Sequence, residues 1–128
     1  MKVELENKLF KKYPKIFRQK NLSMNETCMC WGISTGDGWY WLIDNLCNTI
    51  QRYIDANKQE QVEATQVKEK YGGLRFYLNQ ESDMIHGMIW LAESMSYTIC
   101  EDCGSTDGAT QTEGWISTLC KKCIKKMQ

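Results

Sequence analysis

Apolar positions along the chain change period several times, and each period predicts an element. Leu5, Leu9 and Tyr13 recur every four residues among lysines, the pattern of a short amphipathic helix over residues 2–13. Pro14 restricts Tyr13 to extended backbone and ends that helix. Residues 21–36 scatter Met24, Cys28, Met29, Cys30, Trp31 and Ile33 among polar neighbours with no sustained period, which predicts an irregular, partly buried segment. Helical spacing returns at Trp39 and continues through Leu42, Ile43, Leu46, Cys47, Ile50, Tyr53 and Ile54. This stripe predicts a helix over about 38–56, with Asp37 placed as its N-cap.

Residues 62–79 then alternate with period two around Gly72-Gly73, which predicts a hairpin whose two-residue turn is that glycine pair. The turn sets a register: Tyr71 opposite Leu74, Glu69 opposite Phe76 and Val67 opposite Leu78 on an apolar face, with Lys70 opposite Arg75 and Lys68 opposite Tyr77 on a basic one. A second helix is expected from its N-cap Ser82 to about Tyr97, carrying Ile85, Met88, Ile89, Ala92 and Met95 on one side. Gly87 weakens it by about 1 kcal/mol relative to alanine, so packing must hold it.

Beyond residue 97 the chemistry of the cysteines takes over. Cys100-x-x-Cys103-Gly104 and Cys120-x-x-Cys123, with sixteen residues between Cys103 and Cys120, have the spacing in which two short turns offer four thiolates to one tetrahedral zinc ion. Between them, residues 109–112 and 115–119 can pair through Glu113-Gly114, and residues 121–127 can start a short helix at the second pair. Knuckle, hairpin, then knuckle at a helix start is the order of a zinc ribbon or treble clef. Four thiolates leave no coordination position open, so the Zn2+ is structural and not catalytic. Some 30 residues cannot bury enough apolar surface to fold alone, so the ion contributes to folding directly.

Three cysteines remain. Cys47 lies on the apolar stripe and reads as packing. Cys28 and Cys30 are a poor chelate spacing, and His86, the sole histidine, is their only ordinary base or co-ligand. Glu69 is out of place on an apolar face; its partner is either the lysine-rich N-terminal segment or water at a sheet edge.

Sixteen basic residues balance sixteen acidic ones, which removes any case from overall charge for a polyanion or membrane-surface binder. Local clusters still stand out. Residues 2–20 hold seven basic residues against two acidic, a face to be neutralised by an acidic neighbour or left solvated. Lys68, Lys70, Arg75 and Tyr77 form a cationic face with an aromatic, and Lys121 and Lys122 begin a second basic group that Glu101, Asp102, Asp107 and Glu113 offset. No run of about 18 apolar residues and no secretory leader pattern is seen, so the expected setting is the cytoplasm, with no membrane partner and with reduced thiols.

The string Lys68-Glu69-Lys70-Tyr71-Gly72-Gly73-Leu74-Arg75-Phe76-Tyr77, with Gly36-Asp37-Gly38-Trp39 before it and Cys-x-x-Cys-Gly, Gly114-Trp115 and Thr118-Leu119-Cys120 after it, resembles a family of small uncharacterised proteins of phages, prophages and bacteria. Residues Tyr13 to Arg18 and Cys28 to Trp31 resemble its phage-borne members. Two departures are visible: Ser34-Thr35 where members often have Glu-Cys, and Cys123 where the last ligand is often His. The second preserves zinc ligation.

The reading is therefore an α+β domain over 1–97, a hairpin-based antiparallel sheet packed on helices, followed by a zinc-ribbon or treble-clef-like module over 98–128. The resemblance implies a non-enzymatic phage-type accessory protein that binds and modulates a host protein, with inhibition of an antiviral defence component as one form of that role. The alternatives are a nucleic-acid-binding module using Lys68, Lys70, Arg75 and the C-terminal lysines, and, last, an enzyme with a site around Glu69 or the Cys28/His86 pair. Trp39, Tyr40 and Trp41 cannot all face inward on one helix, so an exposed one marks an interface, a homodimer among the options.

Overall fold

Helix α1 spans Val3–Lys12 and buries Leu9 and Phe10. It runs into a turn that buries Tyr13, Ile16 and Phe17, with Phe17 edge-on to both Phe10 and Phe76. The computed structural model describes residues 1–127, so Gln128, the end of the expected 98–128 module, lies outside the described residues. The irregular segment after α1 contains two 3-10 turns and then a short strand, β1 (Ile33–Ser34). Helix α2 spans Tyr40–Asn57, entered through a 3-10 turn at Asp37–Trp39. Its expected stripe is buried from Leu42 to Ile54. Asp37, however, makes no capping bond to α2; its Oδ1 instead accepts the Lys2 N–H at 2.8 Å. The 3-10 turn displaces the helix start to Tyr40, which leaves Asp37 three residues outside it.

The hairpin consists of β2 (Ala64–Lys70) and β3 (Gly73–Leu78), and its register differs from the expected one. Val67 pairs with Phe76, Glu69 with Leu74, Lys68 with Arg75 and Lys70 with Gly73, so the turn is Tyr71-Gly72. Both take positive φ, 53° and 84°, as a primed two-residue turn requires. Every partner has moved by two residues, and since side chains alternate with period two, each keeps its expected face. Gly73 serves another purpose: a Cβ there would strike the Tyr97 hydroxyl.

The sheet is also larger than a hairpin. β1 pairs in parallel with β2, Ile33 beside Val67 and Ser34 beside Lys68, which makes a mixed three-stranded sheet in the order β1-β2-β3. Both edges are closed by polar side chains of helices. Glu6 of α1 accepts the Ile33 N–H at 2.9 Å, and Ser96 of α3 (Asp83–Ser96) accepts the Leu74 N–H at 2.9 Å. Ser82 caps α3 by accepting the Ile85 N–H, as expected. α3 lies along β3 and against α2, and a single buried cluster runs from Leu9 and Phe17 through Trp39, Ile43 and Ile50 to Val67, Leu74, Phe76 and Ile85.

Three of the seven basic residues of the N-terminal segment, Lys2, Lys12 and Arg18, lie against acidic neighbours. Lys12 and the Tyr13 hydroxyl both donate to Asp44 Oδ1, at 2.9 and 2.6 Å, and Arg18 forks onto Glu63. Burial alone would raise the Asp44 carboxyl; the hydrogen bonds from Tyr13 and Lys12 outweigh it and hold the group below its ordinary value. A carboxyl depressed in the folded state contributes stability above its unfolded pKa of about 4 and loses it as pH falls through the folded value. Tyr13→Phe is accordingly expected to cost about 1.5 kcal/mol at pH 7. That difference from the unaltered chain should shrink in urea melts below about pH 4.

The C-terminal segment carries β4 (Thr110–Gln111) paired antiparallel with β5 (Thr118–Leu119), then α4 (Lys121–Met127). It has its own small buried cluster of Cys100, Leu119, Cys120 and Cys123, with Ile124 packed against it.

Candidate metal centre

Two tight turns bring the cysteines together. In the first, Gly104 donates its N–H to Cys100 O at 2.9 Å and takes a φ of +82°, a conformation that suits glycine. Cys100 N–H closes the same loop on Ser105 O at 2.8 Å. The second pair straddles the start of α4, where Ile124 N–H bonds Cys120 O. The Sγ atoms of Cys100, Cys103, Cys120 and Cys123 all lie within 4.8 Å of one another, with Cys103 and Cys120 at 3.6 Å. A tetrahedral thiolate site with metal–sulfur bonds of about 2.3 Å places its sulfurs roughly 3.8 Å apart. The donor set and its spacing fit a four-coordinate metal ion.

Electrostatics favour the same reading. The Cys123 N–H and the neighbouring thiols hold Cys120 down at about 7, while burial pushes Cys123 up to about 12. So close together, one thiol ionises at the expense of the others unless a cation shares the charge. A divalent ion deprotonates all four. Cys100, Cys120 and Cys123 are buried and Cys103 is exposed.

The centre is keyed into the α+β domain largely through backbone. Gly38 N–H donates to Glu101 O at 2.7 Å and Gly36 N–H donates to Glu101 Oε2 at 2.8 Å, while within the C-terminal segment Glu101 N–H donates to Thr118 O. A Cβ on Gly38 would overlap Cys100 O and lie 2.6 Å from Glu101 O. Burial pushes the Glu101 carboxyl above its ordinary range, partly offset by the Gly36 N–H. Trp39 donates its indole N–H to Ile99 O at 2.9 Å, inside the core. On the other side Thr118 Oγ1 donates to Gly72 O at 2.6 Å, and Gln111 bridges Thr118 and Tyr97 O. The Gly-Asp-Gly-Trp stretch, the hairpin turn and the first knuckle, distant in sequence, therefore form one joint.

That joint creates a cleft of about 310 Å³ lined by Lys68, Glu69, Lys70, Tyr71, Trp115 and Ile116. Trp115, at the tip of the β4–β5 loop, is 86% exposed, and Tyr71 is also exposed. Nothing in the sequence places Trp115 beside Lys68 and Lys70, because loop and hairpin come together only in space, where Ile116, Thr118 and Gln111 pack beside Gly72.

The expected basic face is divided. Arg75 is half-buried and bonds Glu93 at 2.8 Å and the Tyr97 hydroxyl at 3.4 Å, so it faces α3 instead of joining a free cationic surface. Tyr77 is exposed on the same strand, and Lys121 and Lys122 are exposed on α4. Glu69 Oε2 accepts the Gly72 N–H at 2.7 Å and so caps its own turn, without the N-terminal lysines. His86 Nδ1 lies 2.5 Å from Glu81, and among the described residues no hydrogen bond joins it to Cys28. Cys47 is fully buried, and burial pushes its thiol up. No protein-family model, curated protein or solved structure matches the chain.

Proposed function

We propose that the chain is a small non-enzymatic accessory protein of the phage type, in which a structural Zn2+ on Cys100, Cys103, Cys120 and Cys123 fixes a recognition surface for a protein of the host cell, an antiviral defence component being the first candidate. The observation that carries this is the cleft at the joint. It combines an exposed tryptophan, a second aromatic and two ammonium groups, the composition of an interface anchor with a charged rim. It also spans the two halves of the chain, so the metal site supports recognition without taking part in any reaction.

Lys68 and Lys70 beside Trp115 also suit a single-stranded nucleic acid, with a base stacked on the indole and phosphates on the lysines. One experiment separates the two readings. Affinity capture from host lysate should retain a protein partner after nuclease treatment, and Trp115→Ala should weaken that capture roughly 30-fold. Capture that vanishes with nuclease, and falls steeply between low and moderate salt, would replace the protein partner by nucleic acid.

A further inference from the structure

Helix α3 is apolar on more sides than its own chain uses. Between Asp83 and Glu93 it carries no carboxylate, lysine or arginine. Ile85 and Ala92 face the core, yet Met84, Trp90 and Leu91 are each more than half exposed. A helix that is apolar all round belongs inside a larger assembly. The exposed face continues across a groove onto α2: Met88 and Met95 of α3 and Leu42 and Leu46 of α2 line it, together with Trp41, which is also more than half exposed.

Gly87 sharpens the point. It sits in mid-helix, where glycine weakens the fold, and a Cβ there would meet nothing within 4 Å. No contact within the described chain calls for a residue without a side chain. By helical spacing Gly87 is a notch between the ridge of Met84 and Leu91 and that of His86 and Trp90.

We infer that a second copy of this chain packs α3 against α3, crossing near Gly87, with each Leu91 entering the other copy's α2–α3 groove. Three features favour a second copy over a foreign partner. The patch holds both ridge and groove, as the self-complementary surface of a two-fold interface must. Apart from His86, which lies against Glu81, its residues Trp41, Asn45, Thr49, Met84, Met88, Trp90 and Leu91 are uncharged, so a two-fold axis, which sets each group near its own kind, brings few like charges together. The exposed parts of Trp41, Met84, Trp90 and Leu91 come to roughly 600 Å², the lower end of what each partner contributes to a specific, stable interface. This surface is separate from the Lys68–Trp115 cleft, so either inference can fail without the other.

Sedimentation equilibrium of the zinc-loaded full chain, from about 1 μM to about 500 μM, tests it. The expected mass rises to twice 14.9 kDa. Leu91→Glu should raise the dissociation constant roughly 30-fold or more. Gly87→Ala distinguishes a packing role from a merely structural one, because it should raise the melting temperature of the dilute monomer while weakening association. Circular dichroism of both variants verifies that they fold. A mass of 14.9 kDa at every concentration would overturn the inference, as would a dimer indifferent to both substitutions.

Discussion

Removing the metal, by chelation or by Cys120→Ser, should unfold residues 98–127 while the α+β domain stays folded. The two parts differ in what holds them. Residues 1–97 enclose a continuous core that includes Phe17, Trp39, Ile50, Val67 and Phe76, whereas the C-terminal segment lends that core only Ile99 and otherwise buries little beyond Thr118, Leu119 and its own cysteines. Ordering a residue costs about 1–2 kcal/mol of backbone entropy, and a cluster of that size cannot offset it for some 30 residues. A four-thiolate ion contributes on the order of 10 kcal/mol, all of which is lost on its removal. Hydrogen exchange reads the outcome directly. Protection should collapse at Cys100–Ile124 and persist at Val67, Leu74 and Phe76. The cleft beside Lys68 and Lys70 should go with the module, since Trp115 is held over the hairpin only by it. A chelated protein that keeps slow exchange at Glu101, Gly104 and Ile124 would show that the thiol cluster is not a metal site on which folding depends.

Gly38→Ala should be strongly destabilising although it lies outside the ligands and adds only a methyl group, at about 3 kcal/mol. The added methyl would meet backbone atoms, Cys100 O, Glu101 O and Gly104 N, and backbone in a tight turn cannot swing aside as a long side chain can. Yielding would also break the Gly38 N–H bond to Glu101 O. The metal itself should still bind, because no ligand is altered. The expected signature is thus a lower urea midpoint with metal stoichiometry intact, and capture of the partner reduced as the cleft opens. A shift under about 0.5 kcal/mol would mean that knuckle and α+β domain are not in contact at this point.

The hairpin shows how far local reading goes. Residues 68–77 announce two strands and a glycine turn, and the faces they present are correct because alternation survives a shift of two residues. The turn position itself was decided elsewhere. Glu69 takes the Gly72 N–H, Thr118 takes the Gly72 carbonyl, and Tyr97 occupies the space beside Gly73, so the turn settles on Tyr71-Gly72. Strand β1 is two residues long and leaves no alternation to detect. Asp37 has the chemistry of a cap, but the 3-10 turn moves the helix start past it.

What the chain's order of residues determined alone is whatever a few neighbours decide among themselves: the helical stripes, the Ser82 cap, the strand faces and the four thiol ligands, whose two-residue spacing already points each pair to one side. Only tertiary structure could draw Arg75 away to Glu93, seat Gly36 and Gly38 on the first knuckle and set Trp115 beside Lys68 and Lys70. The reason is that such contacts join segments tens of residues apart, where the choice among many chemically suitable partners is made by which surfaces the packed core brings within reach.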